Sequence, residues 1–586
     1  MGEQGSRIPP LRAGRRPAGL ALLGWLADER APRLCQVTGA PGAGKSHLLA
    51  WLAEAGTEAH AAAGAAAGAG ARVRAVLPAA GATVESAAWR LGRRLDLLVR
   101  TPDELFAALA EDDRPTVICV PDLGRAADPA ELVAELLDPL LRLERIRLVV
   151  EGGAGAFTAV AAPAVLDLDL PQWTDPARFA AWCAAAAADP DRYPSPGAAL
   201  GHPAEPARRS LLELATELPA GPDGAPDPAA AEPRLLTDLW RAATREGGVE
   251  RLLGDARLLT HADPVVVSAA LAGRPGAVPE QWRNAGPALV EEPDPGVRAA
   301  VLRTRLIGLD GPAADRLAAV PGPWHCAWAM WPDSAFGWPG PVSSLALGAG
   351  SYAGQLLLAD PGGTVRTVDA ASGRPLARVP TPGPRPLRGL TVTGGGSVVL
   401  LDSWGESAVL PSAAEADSRP GAALAELVAV AGTAPSAVAA VPGLPGAVPA
   451  LGDEAGALHW RDAGGAPLSA RPHRGPVTAL AAALEAGRPV LVSGGFDGSV
   501  QLWRPGGAEP VEVLDRRERV VGAVAVAAGA DGLTVAAAWA DGLVRLRRPG
   551  AGPVDLRLGS PIWALALADG LLVLGTSDGV AAVRAG

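Results

Sequence analysis

The sequence predicts a multidomain chain: an α/β domain with a phosphate-binding loop, a small helical domain, and an all-β propeller of six blades, with seven as the alternative. Three observations carry this. Residues up to about 185 alternate short β-like runs with amphipathic helical ones, the pattern of an α/β sheet. A Gly-rich loop ending in Gly44-Lys45-Ser46 stands between the first β-like run and a helical one. Beyond Trp324, glycine turns followed by alternating strands recur at nearly even intervals. The same shifts of composition place the domains at 1–185, 186–321 and 322–586.

In the first domain the strand-like runs are Arg33–Thr38, Arg72–Pro78, Thr116–Pro121 and Arg147–Glu151. Helical runs such as Thr83–Arg94 and Pro102–Ala110 lie between them, and the Ala/Gly tract Ala61–Ala71 reads as a surface loop. Arg15–Ala27 mimics a signal peptide but runs straight into Asp28 and Glu29 without a small-residue cleavage site, so an amphipathic helix is expected. In the second domain, Pro-rich joints (Pro190–Pro206 and Pro219–Pro233) frame helical segments including Arg209–Leu218, Arg234–Arg245 and Gly296–Leu306.

The third domain repeats itself. Turn glycines precede alternating strands at Gly363, Gly405, Gly456, Gly498, Gly542 and Gly579, at intervals of 42, 51, 42, 44 and 37 residues. A four-stranded propeller blade needs about 40–45. A tight turn between adjacent strands calls for φ > 0, which glycine supplies. Only one strand's worth of chain follows Gly579, so Trp324–Trp331 is expected to supply the missing strand and close the ring. Trp324, Trp328, Trp331 and Trp338 are then read as packing at that seam. The stretch from His473 to Trp503 resembles a WD-repeat blade, with His473, Ser493, Asp497 and Trp503 matching that family's buried polar set. The other blades lack most of it.

Composition narrows the function. Of 52 basic residues one is lysine, Lys45, in a chain of 586 whose net charge is −11. An acidic chain without basic clusters lacks the surface that nucleic acid requires. Cys35, Cys119, Cys183 and Cys326 form no CxxC, so neither a disulfide framework nor a zinc site is indicated. Prolines at 435, 442, 445 and 449 break the uncharged stretch Leu427–Leu451 as a membrane helix. A cytoplasmic protein without membrane contact is expected.

Gly39-Ala40-Pro41-Gly42-Ala43-Gly44-Lys45-Ser46 is a complete Walker A sequence. Small residues let backbone N–H groups curl around phosphates, and the following helix adds its dipole. Lys45 supplies a compact charge that arginine's planar fork replaces poorly. The expected nucleotide-binding set is Gly39 to Ser46 with His47. Ser46 is expected to ligate Mg²⁺, with Asp122, at the end of Val117–Asp122, as the second Mg²⁺ residue.

With these residues in this order, the chain resembles bacterial signal-transduction NTPases of the STAND type (NACHT-like P-loop NTPases) carrying a C-terminal WD-repeat propeller. Gly14-Arg15 is similar to the Gly-Arg element that such proteins place near the nucleotide, which implies that Arg15 is a nucleotide contact. Asp175–Phe179 and Leu258–Pro264 are similar to further stretches of that group. The chain departs where catalysis would sit. Asp122 is followed by Leu123, Gly124 and Arg125 without a second acid, and the strand Arg147–Val150 ends in Glu151, Gly152 and Gly153 without a sensor arginine.

The expected function is an intracellular signalling switch binding ATP or ADP with Mg²⁺, hydrolysing slowly or not at all, at most a slow ATPase. Its propeller would bind a protein partner or sense a signal, and nucleotide would govern oligomerisation. The alternatives are an interaction scaffold with a vestigial P-loop domain, and an active ATPase whose acid is Asp112, Asp113 or Glu151.

Overall fold

The computed structural model describes residues 11, 14–62, 72–152, 157–188, 209–221, 224, 226–332, 340–415, 420–441, 449–461, 466–505 and 511–586. The joint Pro190–Pro206, Gly153, Trp338, Pro442, Pro445 and the Ala/Gly tract beyond Ala62 lie outside these residues. By contacts the chain divides into two units, one of residues 1–253 with 261–274 and the other of 254–260 with 275–586. The helical stretch after 186 is thus shared between them.

The first unit is built on a parallel five-stranded sheet of β1 (Leu34–Thr38), β2 (Arg72–Val76), β3 (Thr116–Val120), β4 (Ile146–Glu151) and β5 (Ala164–Asp167), in the order β2-β3-β4-β1-β5. The first four are the runs read from the sequence. Because β3 and β4 are buried along their whole length, they appear as unbroken apolar runs, as parallel strands covered on both faces do. The fifth strand, only four residues long, was not foreseen. Parallel register places the ends of all five strands at one edge, where Val37 pairs with Glu151, Cys119 with Val149, and Thr38 with Asp167.

The segment Arg16–Ala27 is a helix burying Leu22, Trp25 and Leu26 against this sheet's core. Arg147 fixes it: the guanidinium lies 3.9 Å over the Trp25 ring, and Nη2 donates to the Trp25 carbonyl at 2.7 Å. Among the described residues no helix is long and apolar enough to cross a membrane.

In the second unit, strands from Trp324 onward form six sheets. Their inner strands, Ser344–Leu347, Leu387–Val392, Pro435–Ala439, Val477–Glu485, Val521–Gly529 and Ile562–Ala568, are neighbours in turn, and the last adjoins the first. This is a closed six-bladed propeller. The ring closes as expected: Trp324–Met330 pairs antiparallel with the C-terminal strand Val580–Ala585, completing the sixth sheet. On that strand Trp324, Cys326 and Trp328 are buried in alternation.

Five of the six turn glycines, at 363, 405, 456, 498 and 542, have φ between 74° and 89°. Gly579 differs, since its φ is not in that region and glycine is required for space: a Cβ would stand 2.2 Å from the Met330 carbonyl of the closing strand. The long 51-residue interval also has a cause. The second sheet has three strands, and the helix Pro420–Ala431 follows them, burying Leu424 and Leu427 against Val399, Leu401, Val438 and Leu451.

Candidate functional site

The loop after β1 is shaped by its glycines. Gly39, Gly42 and Gly44 have φ of 137°, 82° and 93°, a region that side chains with a Cβ rarely enter. The loop therefore turns tightly into the helix Lys45–Ala62. The first amides of that helix have no intrahelical acceptor by construction, and they carry its positive dipole end. Lys45 is 8% exposed, and its Nζ donates to the carbonyls of Gly39 and Ala40, both at 3.0 Å. A buried ammonium, left-handed glycines and a helix N-terminus together fit a polyphosphate. Ser46 and His47 follow on the first turn, both half-buried.

A residue missed in the sequence ties this loop down. Asp169, just beyond β5, accepts the Ala40 N–H at 2.8 Å. Nearby, Arg15 is buried and donates to the Leu168 carbonyl at 2.8 Å and to Thr174 Oγ1. Burial draws the Arg15 pKa down, while the Asp169 carboxylate acts against that. Next to it, Gly14 at φ 72° accepts the Asp175 N–H at 2.9 Å, and a Cβ there would come 2.6 Å from the Asp175 carbonyl. Gly14-Arg15 is thus stapled to the segment 168–175. The only sequence signal for Asp169 was the alternation Leu166-Asp-Leu-Asp-Leu170. Asp175 itself caps the helix Pro176–Ala188 by accepting from Ala177 and Arg178.

Asp122 follows Pro121 at the end of β3 in the left-handed region (φ 57°, ψ 30°), 4.0 Å from Arg125. Its N–H donates to Glu151 Oε2 at 3.1 Å. Because β4 lies between β3 and β1, Glu151 stands one strand from the loop strand and Asp122 two. Asp112 and Asp113 precede β3 and so sit at the opposite edge of the sheet. Asp112 is held by Arg114 at 2.7 Å and Arg74 at 3.1 Å, the Arg114 hydrogen bond above all keeping its carboxyl well below the usual range. Asp113 pairs with Arg145. Of the three acids considered for catalysis, only Glu151 shares an edge with Lys45.

In the propeller, His473 Nε2 lies 2.8 Å from Ser493 Oγ, and Nδ1 lies 3.0 Å from Ser499 Oγ and 3.2 Å from Asp497. Trp503 packs in the apolar cluster of Trp460, Val477 and Leu491. The remaining blades are less degenerate than their sequences. Each turn glycine has an aspartate one or three residues before it, and five of these six acids meet an imidazole or a guanidinium. Asp453 meets His459 at 3.0 Å, and Asp541 meets Arg517 and Arg557 at 2.9 and 2.7 Å. Asp578 meets Arg305 at 2.9 Å, from the helix Pro295–Leu306. The substituted cations escaped the sequence because they come from outside the repeat positions. A narrow channel of about 160 Å³, lined mostly by apolar residues with Arg388 as its charged residue, runs between the inner strands.

The described residues contain no cluster of His, Cys, Asp and Glu able to hold a metal by itself. Cys35, Cys119 and Cys326 are buried with thiols pushed up to about 12, so they are inert as nucleophiles.

No model of a protein family matches the chain, and no curated protein matches it. Among solved structures it is similar to the β-propeller domain of Cps50 (Swd1) from Myceliophteria thermophila, at 17% identity and a TM-score of 0.29 over 42% of this chain and 83% of that one. U3-55K gives 16% and 0.28 over 42% and 96%, and the RRP9 WD40 repeats 15% and 0.28 over 44% and 100%.

Proposed function

We infer that the chain is a nucleotide-responsive interaction protein: the first unit binds ATP or ADP with Mg²⁺, and the propeller presents a surface to a protein partner. The observation that carries this is Lys45. The single lysine of an arginine-rich chain is buried beneath a loop of three left-handed glycines at a helix N-terminus. Gly39 to His47 would cradle the phosphates, Ser46 and Asp122 would hold Mg²⁺, and Arg15 would support the loop through Asp169. The cation supplies charge neutralisation between the phosphates. Nucleotide would bias two states of the chain through its differential affinity for them.

Hydrolysis is slow in this reading. Asp122 has no acid beside it in the chain, and Glu151 is committed to a backbone hydrogen bond. The resemblance to STAND-type NTPases supports a switch governed by nucleotide, acting from the cytoplasm and through assembly.

The test is to extract purified protein for bound nucleotide, then titrate ATP and ADP with and without Mg²⁺ and measure turnover. Bound ADP, or Mg²⁺-dependent affinity with negligible turnover, supports the switch. Protein that neither carries nor binds nucleotide leaves the scaffold. Steady Lys45-dependent turnover of several per second would mean a working ATPase.

A further inference from the structure

The sequence lacks a second acid after Asp122, yet the fold brings one there from the neighbouring strand. Glu151 is the last residue of β4, its backbone paired with Val37 of the loop strand, and it is 5% exposed. Its side chain crosses to the turn after β3 and accepts the Asp122 N–H at 3.1 Å. The next residue, Gly152, donates to the Val37 carbonyl at 2.8 Å, so the end of β4 is fixed on the P-loop strand.

The turn it holds needs holding. Asp122 is one of four described residues other than glycine with positive φ, a conformation that costs free energy unless its surroundings enforce it. Around it, the Pro121 carbonyl accepts from Ala79 at 3.0 Å and the Asp122 carbonyl from Arg125 at 2.9 Å. Glu151 takes the remaining backbone donor. Among the described residues no arginine or lysine forms an ion pair with Glu151, whose side chain instead accepts a hydrogen bond from a backbone amide.

We propose that Glu151 is the positioning residue of the Mg²⁺ side of the site: by accepting the Asp122 N–H it fixes the left-handed turn that aims the Asp122 carboxylate towards the cation of a bound nucleotide. Outer residues of this kind commonly change metal affinity about 10–100-fold without touching the ion. This inference rests on the nucleotide-binding reading above.

The experiment titrates a fluorescent ATP analogue against the full chain, with Mg²⁺ and with EDTA. The variants are Glu151→Gln, Glu151→Asp and Glu151→Ala, with Lys45→Ala as the control for the parent reading. Glu151→Gln keeps an oxygen at the right reach, so it should retain most of the gain in affinity that Mg²⁺ confers. Glu151→Asp keeps the charge but is one methylene short, and should lose about tenfold of that gain, as Glu151→Ala should. Affinity in EDTA should stay within about twofold of wild type for all three. Should Glu151→Ala fold poorly, the Gln and Asp pair decides alone. Retention in Asp with loss in Gln would overturn the proposal, because charge rather than the hydrogen bond would then matter. Equal losses with and without Mg²⁺ would overturn it too, since they signal general destabilisation. Wild-type protein that binds no nucleotide would instead defeat the parent reading, and the inference with it.

Discussion

Asp541 in the propeller and Glu151 in the α/β unit are both buried acids, 2% and 5% exposed, but the chain surrounds them differently. Asp541 receives Arg517 through both nitrogens at 2.9 Å and Arg557 at 2.7 Å, and Arg517 in turn lies 5.3 Å over the Trp539 ring. Burial by itself would raise the Asp541 pKa, and the two guanidinium groups more than reverse that. Glu151 has a backbone amide. At five of the six blade turns the acid meets an imidazole or a guanidinium on the spot, so these acids serve the fold. At the C-terminal edge of the parallel sheet, Glu151 meets a backbone donor and the Lys45 ammonium meets backbone carbonyls. Ligands of open α/β sheets bind at that edge.

The comparison breaks first at Asp541. Asp541→Ala leaves two arginines partly buried without their shared carboxylate, and losing one partner of a buried pair costs about 3–5 kcal/mol. Urea denaturation followed by hydrogen exchange in the strand Val544–Arg547 should show that loss, with nucleotide affinity unchanged. A cost under about 1 kcal/mol would mean that the propeller's pairs are ornaments of the surface.

Lys45→Ala tests the other side. Losing a charged donor to phosphate should weaken nucleotide binding by about 100-fold, from charge-assisted hydrogen bonds of up to about 3 kcal/mol. Thermal stability without nucleotide should barely change. Lys45→Arg should restore little affinity, since the planar fork does not fit a loop built around a point charge. An arginine variant that binds normally would refute the link between the lone lysine and its site.

A smaller effect separates charge pairing from desolvation within the propeller. Burial is the main cause holding the His473 pKa below its ordinary 6.5, with Arg516 adding to that and Asp497 opposing it. The unfolded chain therefore binds this proton first as pH falls. Stability is complete above about pH 6.5 and is lost as the pH drops towards the folded value. Asp497, held down to about 2 against burial by bonds from Ser499, Arg474 and His473, adds a second loss between 3.8 and about 2. That second loss amounts to about 2 kcal/mol. Denaturation midpoints at pH 7.5, 6.5 and 5.5 should fall in wild type and stay flatter in His473→Gln. A slope that persists in the variant would assign the acid sensitivity elsewhere.

What the sequence reveals and conceals follows from the reach of the interactions. Local physics is legible: a left-handed turn needs glycine at that position, so both the glycine loop after β1 and five blade turns could be placed from residue types alone. Ring closure by Trp324–Met330 was legible too, because a count of strands left one short. The fifth strand was not, since Ala164–Asp167 follows a proline and has a single buried position. Nor was the helix Pro420–Ala431, whose apolar run imitates neither a blade strand nor an exposed loop. Least legible were partners supplied from afar. Arg305 reaches Asp578 across 273 residues, Asp169 reaches Ala40 across 129, and Glu151 reaches Asp122 only because β4 lies beside β3. A repeat motif or a Walker pattern reports its own residues, and an arginine from another element that replaces a missing histidine leaves no mark in either.

The finest test asks whether burial, rather than ion pairing as such, grades these contacts. Arg545 joins an acid of the preceding blade to one of its own: Asp515, whose side chain is 11% exposed, at 3.2 Å, and Asp555, 45% exposed, at 2.7 Å. The exposed pair is the shorter one, so distance and burial make opposite predictions. Water screens Asp555 and side-chain entropy opposes its pairing, so Asp555→Ala should cost about 0.2–1 kcal/mol. Asp515→Ala strands both Arg545 and Arg547 at a more buried position, and should cost more although its contacts are no shorter. Equilibrium urea denaturation of the two variants at low and at 1 M salt reads the difference. Salt should erase the Asp555 effect and leave most of the Asp515 effect, because buried pairs are screened less. Equal costs, or equal sensitivity to salt, would mean that burial does not set the worth of these pairs, and Asp541 would then lose its standing as the counterpart of Glu151.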